Sequence, residues 1–337
     1  MMAEATVMQF PARIEWFWKT RDEPTKWYRY SDVENILIEE AFQAKQDQVI
    51  LDAVQINFVH QMQISNDNSN NPQSVPVKRE VKTTRDKILR EDRFILNPIH
   101  PDMPFCHAPT DSIFLVATKQ QLSNMSFKNI VETAAEGIAQ EGKKLGRQRE
   151  AQWMTNELLK VKNGSVEEIW RCCARLYSME SFLYKKLNEA MRLVDDKQQR
   201  HIWQQQISAL GLFAVILDMN TIQFERTAGS FMGTIYRGAN LSKDQIAKFK
   251  EVATSNNPHR SFQAFTSCSR NRTKAESLGN TLFSITPPVC KRANSNDISP
   301  YSDYDEEEQL LSPAYRFRIR NVEFNVKKKK HYIYLDG

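Results

Sequence analysis

The N-terminal pattern of apolar and polar positions predicts alternating short elements. Ile14, Trp16 and Trp18 recur at period two, as the buried face of a strand does. Trp27, Tyr28 and Tyr30 form a second aromatic strand, separated from the first by the polar, turn-rich stretch Arg21-Asp22-Glu23-Pro24-Thr25. Ser31 or Asp32 can cap a helix that carries Ile36, Ile38, Ala41 and Phe42 on or near one face. Short strands follow at Gln48–Leu51 and Val54–Phe58, then a polar loop from Asn66 to Ser74 and a basic end at Lys78-Arg79.

Lys82–Asp92 reads as a charged helix, and Pro98, Pro101, Pro104 and Pro109 then predict an extended connector, because proline this dense prevents a continuous helix. Residues 126–219 read as mostly helical. Ile130, Ala134, Ile138 and Glu141 keep helical spacing, with Gly142 and Gly146 as breaks. Trp153, Leu158, Leu159 and Val161 belong to a helix ended by Asn163-Gly164. Ser165 with Glu168 is a capping box that opens a helix through Trp170, Ala174 and Tyr177, and further helices run near Met179–Val194 and Gln199–Leu217. After residue 228 the runs are short and rich in β-branched and aromatic residues: Gly233–Tyr236, Phe262–Thr266, Thr281–Ile285, Gln309–Leu311, Tyr315–Val322 and His331–Leu335, with one helix at Ser242–Val252. Helices followed by a largely antiparallel sheet make an α+β fold.

Composition narrows the class further. A chain of 337 residues suggests two or three domains. Only 10 glycines leave little material for a glycine-rich phosphate loop, and 46 Lys+Arg against 41 Asp+Glu is too mild a surplus to argue for a nucleic-acid partner. No signal-like segment is visible at the start, and the most apolar run, Ile207 to Leu217, is too short to span a bilayer. The five cysteines, Cys106, Cys172, Cys173, Cys268 and Cys290, have no metal-ligand spacing, which suits reduced thiols in the cytoplasm or nucleus, no metal and no membrane.

Trp16, Trp27, Glu39 within Ile38-Glu39-Glu40-Ala41-Phe42, and Ile56-Asn57-Phe58 followed by Gln63 give residues 8–80 a resemblance to the WWE domain, a small curved sheet on one helix. Several members bind ADP-ribose units. The resemblance implies Trp18 and Tyr28 as aromatic walls, Gln63 as a polar contact, and Lys78 and Arg79 toward phosphate. Val54 and Val75 stand where the binders carry a further aromatic and an arginine. A protein-interaction module without a nucleotide is the alternative; either way the implied partners are ADP-ribosylated or ubiquitin-system proteins.

Three signals follow in order in the C-terminal half: Arg237-Gly238 at the end of a β-like run, Ser267-Cys268-Ser269, and an acidic stretch holding Glu306-Glu307-Glu308 before Gln309-Leu310-Leu311. Singly each has an ordinary reading as a turn, a strand edge or a solvated loop. Together they resemble the arginine-type ADP-ribosyltransferases, which carry an Arg, a Ser-x-Ser and a Glu-x-Glu in that order. Tyr177–Tyr184 with Leu187-Asn188, Leu282–Ile285 and Ile298–Tyr301 add to the match over residues 126–337, with 81–125 as connector. The family fold is a helical part followed by a split antiparallel β-sandwich.

That resemblance implies transfer of ADP-ribose from NAD, with NADP as an alternative dinucleotide, to an exposed arginine of an acceptor protein. Arg237 suits a phosphate or ribose oxygen, and Gly238 lets the backbone approach the nicotinamide amide. Ser267 orients either the catalytic carboxylate or the ribose, and Ser269 supports the cofactor strand. Glu308 stabilises the ribosyl cation, and Glu306 orients the acceptor guanidinium and draws off its proton. On a regular strand Glu306 and Glu308 share one face and Glu307 faces away. Tyr301 and Tyr304 are candidate acceptor contacts. An NAD glycohydrolase and a catalytically inactive ADP-ribose-binding protein are the alternatives. Cys268 is a small buried thiol, and Lys327–Lys330 a solvated hairpin turn.

Overall fold

The computed structural model describes residues 13–20, 22–23, 25–66, 74–82, 90, 93, 105–107, 111–122, 125–196, 198–219, 233–256, 258–288 and 295–337. They fall into two compact units, one drawn from Met1–Ile88 and Gly142–Trp153, the other from Leu89–Glu141 and Met154–Gly337. The four prolines of the expected connector, most of 82–92, and Cys290 lie outside the described residues, whereas Cys106–His107 and Ile113–Lys119, inside the 81–125 expected as an extended connector, form a strand and a helix of the second unit.

In the first unit, β1 (Arg13–Lys19), β2 (Trp27–Arg29), β3 (Gln48–Ile50), β4 (Val54–Asn57), β5 (Met62–Ser65) and β6 (Ser74–Lys82) form an antiparallel sheet in the order β2-β1-β6-β5-β4-β3. Helix α1 (Asp32–Gln43) starts from Ser31 in a full capping box with Glu34, which resolves the choice between Ser31 and Asp32. Trp16, Tyr30, Ile38, Leu51, Ile56 and Val77 make the core, and Trp18 packs on its edge. Trp27 is only half-buried, beneath the Lys19 and Lys78 ammonium groups at 4.5 Å each. Glu15 has no solvent exposure and is neutralised by Arg13 and Arg29 at 3.2 and 3.0 Å.

Next along the chain come a short strand, β7 (Cys106–His107), and a series of helices: α2 (Ile113–Lys119), α3 (Phe127–Lys144), α4 (Gln148–Lys160), α5 (Val166–Ser178), α6 (Phe182–Arg192), α7 (Arg200–Gln206) and α8 (Leu212–Asp218); all but the end of α3 and the start of α4 belong to the second unit. The expected break at Gly142 does not occur; α3 continues through it to Lys144. The helical run expected over Gln199–Leu217 is interrupted by a π-helical turn, Ile207–Gly211. That turn brings the Ala209 carbonyl against α3, where a Cβ on Gly137 would lie 1.7 Å from its oxygen. Gly137 is therefore the residue that lets the backbones meet. Among the described residues no helix is long and apolar enough to cross a membrane.

The remaining elements are β8 (Ile235–Ala239), α9 (Lys243–Thr254), β9 (Arg260–Phe262), β10 (Thr266–Ser269), α10 (Arg272–Ser277), β11 (Thr281–Thr286), β12 (Ser295–Asp297), β13 (Glu308–Leu311), β14 (Tyr315–Asn325) and β15 (Lys330–Asp336). With β7 they run in the order β12-β13-β10-β8-β11-β15-β14-β9-β7. All neighbours are antiparallel except β11 and β15. The core beneath the sheet includes Ile235, Phe249, Cys268, Phe283, Phe317 and Ile333. The β14–β15 hairpin turn carries the lysines, and Lys328 reaches Glu276 at 2.7 Å.

Gly137→Ala is expected to cost more than about 3 kcal/mol, since a backbone clash cannot be relieved by a rotamer change. Ser165→Ala, which removes one cap bond, is expected to cost about 1 kcal/mol. Urea midpoints of the two variants check this, and equal shifts would contradict the close-packing account.

Candidate active site

The antiparallel pairing of β10 with β13 brings two motifs together. Ser267 sits opposite Leu310 and Ser269 opposite Glu308, so the hydroxyl strand and the glutamate strand share an edge. Arg237 lies one strand further, in β8, with its Cα paired to Phe283 and its neighbour Tyr236 paired to Ser269. The Arg237 Nη1 donates to the Ser267 carbonyl at 2.6 Å. Ser269 acts on the acidic motif rather than toward open space: its Oγ donates to the Glu306 carbonyl at 2.7 Å and accepts from Asn271 N at 3.0 Å. Through these bonds Ser269 ties its strand to the acidic motif.

Glu306 and Glu308 both have no solvent exposure. Their convergence does not come from a regular strand, because β13 begins only at Glu308 and Glu307 has φ +49°. That left-handed residue turns the chain and sends the Glu307 carboxylate away, to Asn271 Nδ2 at 2.9 Å and Lys274 Nζ at 3.1 Å. The hydrogen bond from Asn271, with Lys274 beside it, holds the Glu307 carboxyl below its usual range against the opposing effect of burial. Glu307 thus faces away as expected, but through a turn rather than strand alternation.

Two arginines that sequence reasoning missed occupy the glutamate pair. Arg90 donates from its backbone N and its Nε to Glu306 Oε1, at 3.0 and 3.1 Å, and from Nη2 to Glu306 Oε2. The same Nη2 lies 3.5 Å from Glu308 Oε2. Arg93 Nε donates to Glu308 Oε1 at 2.8 Å and its Nη1 to the Tyr177 carbonyl at 2.9 Å. Arg90 Nη1 donates to the Ser178 carbonyl. Aromatic faces complete the cage: the Arg90 guanidinium is 3.7 Å from the Tyr304 ring centroid, and Arg93 is 4.7 and 4.8 Å from those of Tyr177 and Tyr184. Burial works against charge on both arginines, yet the carboxylates raise both above the ordinary arginine range. The guanidinium on Tyr304 is the chain's own. Tyr301 instead packs edge-on against Trp170 at 5.4 Å, and its carbonyl accepts from Ser178 Oγ.

A third unexpected cation, Arg192, ends α6. Burial and then the charge of Arg237 pull it down to about 10. Its Nη2 is buried with no hydrogen-bond partner among the described residues. Arg237 is lowered too, first by burial. Two guanidiniums that depress or lack compensation in this way suit an anionic ligand such as a diphosphate. The space beside Gly238 is filled by protein: a Cβ there would meet the Ala275 carbonyl oxygen at 2.4 Å and Leu278 Cβ at 2.6 Å. Packing against Ala275 and Leu278 thus requires a residue without a side chain here.

In the first unit, Trp18 and Tyr28 stack on one another, with centroids 5.1 Å apart and planes at 30°. Gln63 Oε1 accepts from the Tyr30 hydroxyl. Arg79 does not present its guanidinium to a ligand, because it forks onto Glu39 at 2.9 and 2.8 Å, where Trp16 Nε1 also donates at 2.9 Å. Burial opposes charge on Glu39, but hydrogen bonds from Arg79, Gln43 and Trp16 hold its carboxyl below the usual range. Among the described residues no cluster of His, Cys, Asp and Glu could hold a metal ion.

Comparison with known families finds two matches: the WWE domain over residues 14–79 and NAD:arginine ADP-ribosyltransferase over residues 117–337. No curated protein sequence matches the chain. Similar solved structures include the ADP-ribosyltransferase HopU1 of Pseudomonas syringae, at 20% identity over 55% of this chain and 82% of that one, TM-score 0.42. Exoenzyme S from Pseudomonas aeruginosa, in complex with human 14-3-3 protein beta and bound to carba-NAD, is similar at 15% identity over 61% and 88%, TM-score 0.41. The type III effector XopAI from Xanthomonas axonopodis pv. citri is similar at 16% identity over 71% and 97%, TM-score 0.43.

Cys268, inside the serine motif but on its core side, has its thiol pushed up to about 12 by burial. The thiolate is the reactive form, so iodoacetamide at pH 8 is expected to label Cys268 in the unfolded chain and spare it in the folded one. By linkage this thiol contributes full stability below its unfolded value near 9.0 and loses it as pH rises toward 12. Equal labelling of Cys268 in both states, read by peptide mass, would contradict this.

Proposed function

The chain belongs to the NAD:arginine ADP-ribosyltransferase family, and from that premise we propose that it transfers ADP-ribose from NAD to an arginine side chain of an acceptor protein. A transferase that uses NAD follows from the family; the arginine acceptor is our reading. The observation that carries it is that the Glu306–Glu308 pair, walled by Tyr304 and Tyr177, already binds guanidinium groups.

The roles follow from the chemistry. Arg237 and Arg192 supply cationic hydrogen-bond donors for the NAD diphosphate. As the bond from ribose C1′ to the nicotinamide nitrogen breaks, its electron pair leaves with nicotinamide and positive charge builds on the ribose. Glu308, a buried carboxylate, stabilises that charge in a low-dielectric setting. An acceptor guanidinium is protonated and weakly nucleophilic. Glu306 orients it and takes its proton as the new nitrogen–C1′ bond forms. Ser269 holds the Glu306 backbone, Ser267 holds Arg237 through its carbonyl, and the left-handed Glu307 fixes the angle between the two carboxylates. The WWE domain is assigned to partner recruitment, with Trp18, Tyr28 and Gln63 as its candidate contact surface and Arg79 as an internal brace for Glu39.

Glu306→Gln is expected to lower transfer to an arginine-rich acceptor at least about 100-fold while leaving NAD hydrolysis within a few-fold. Glu308→Ala is expected to abolish both. Labelled NAD with separate readouts of acceptor labelling and nicotinamide release checks this. Acceptor labelling that survives Glu308→Ala, or that falls on residues other than arginine, would overturn the reading.

A further inference from the structure

The mechanism needs both carboxylates free, one for the ribose and one for the acceptor, yet the chain's own Arg90 and Arg93 hold them. We propose that Arg90 and Arg93 are an intramolecular acceptor mimic that occupies the active site and competes with NAD and with acceptor arginine. The inference rests on the arginine-transfer reading for the identity of the acceptor slot; the occupation of the carboxylates stands on geometry alone.

Three observations carry it. The contact is extensive, since Arg90 meets Glu306 with three donors and Arg93 Nε takes Glu308, while Nη1 of each arginine donates to a carbonyl at the end of α5, that of Ser178 or Tyr177; Arg93 Nη2 is left buried without a partner among the described residues. The contact is aimed, because Arg90 lies face-on to Tyr304, a residue of the loop expected to meet the acceptor. And the contact is a poor choice for stability alone: a buried ion pair gains little over an apolar replacement once desolvation is counted, so a quartet of buried charges at the reacting carboxylates calls for another explanation. Tethering makes the competition effective, because a group on the same chain acts at an effective concentration in the millimolar range. Arg90 on Glu306 stands where the acceptor guanidinium would, and Arg93 on Glu308 stands where the ribosyl group would.

The test uses the full chain with the double substitution R90Q/R93Q. NAD affinity measured by calorimetry is expected to rise, and the apparent KM for NAD in nicotinamide release to fall, by about tenfold or more as the site becomes fully competent. A synthetic peptide of residues 86–97 added to the double variant is expected to raise the KM again, while the same peptide with both arginines replaced by glutamine is inert. Unchanged NAD affinity together with an inert peptide would overturn the proposal and leave arginine transfer standing. Tighter NAD binding with no arginine labelling by either protein would keep the mimic and remove the arginine reading instead. Should the variant fail to fold, hydrogen exchange on the wild type decides: saturating NAD is expected to speed exchange in the peptide spanning Arg90 and Arg93, and no change there would overturn the proposal.

Discussion

Two carboxylates without solvent exposure must be neutralised or protonated, and the catalytic unit is arranged around that demand. Glu306 and Glu308 are brought side by side by a left-handed Glu307 and held there by Ser269 on the Glu306 carbonyl. Their negative charge draws guanidinium groups from residues more than 200 positions away in sequence. On the proposed mechanism, the same field that would serve a developing ribosyl cation and a protonated acceptor also binds the chain's own arginines. Recognition and self-occupation are two outcomes of one electrostatic design.

The cationic half of the site completes the picture. Arg237 and Arg192 carry charge with little internal compensation, and each has its pKa lowered chiefly by burial, with Arg237 adding to the effect on Arg192. Arg192 and Arg93 each keep a buried guanidinium nitrogen without a partner among the described residues. A diphosphate would stabilise Arg237 and Arg192, and a ribosyl group would take the place of Arg93 on Glu308.

Much of this was legible in the sequence. The period-two tryptophans, the Ser31 and Ser165 caps and the ordered Arg, Ser-x-Ser and Glu-x-Glu signals are local, and local chemistry decides them. What escaped was long-range or irregular. Arg90 and Arg93 read as part of a charged stretch, and their only warning was that two carboxylates entering an apolar strand need cations from somewhere. Arg192 was hidden at the end of an otherwise amphipathic helix; its signal is its place one turn after the buried Asn188. Glu307 broke the strand alternation because a non-glycine residue took a positive φ, which no spacing rule reveals. Arg79 looked free for phosphate because its partner, Glu39, lies on a different element.

The most direct test of the central claim, that the glutamate pair delivers ADP-ribose to guanidinium, is a residue-level mass map of proteins modified when the purified chain and NAD are added to a cell lysate. The account predicts ADP-ribose on arginine side chains, and none on any residue when Glu308→Ala replaces the wild type. Modification confined to other residue types, or free ADP-ribose as the sole product, would contradict it.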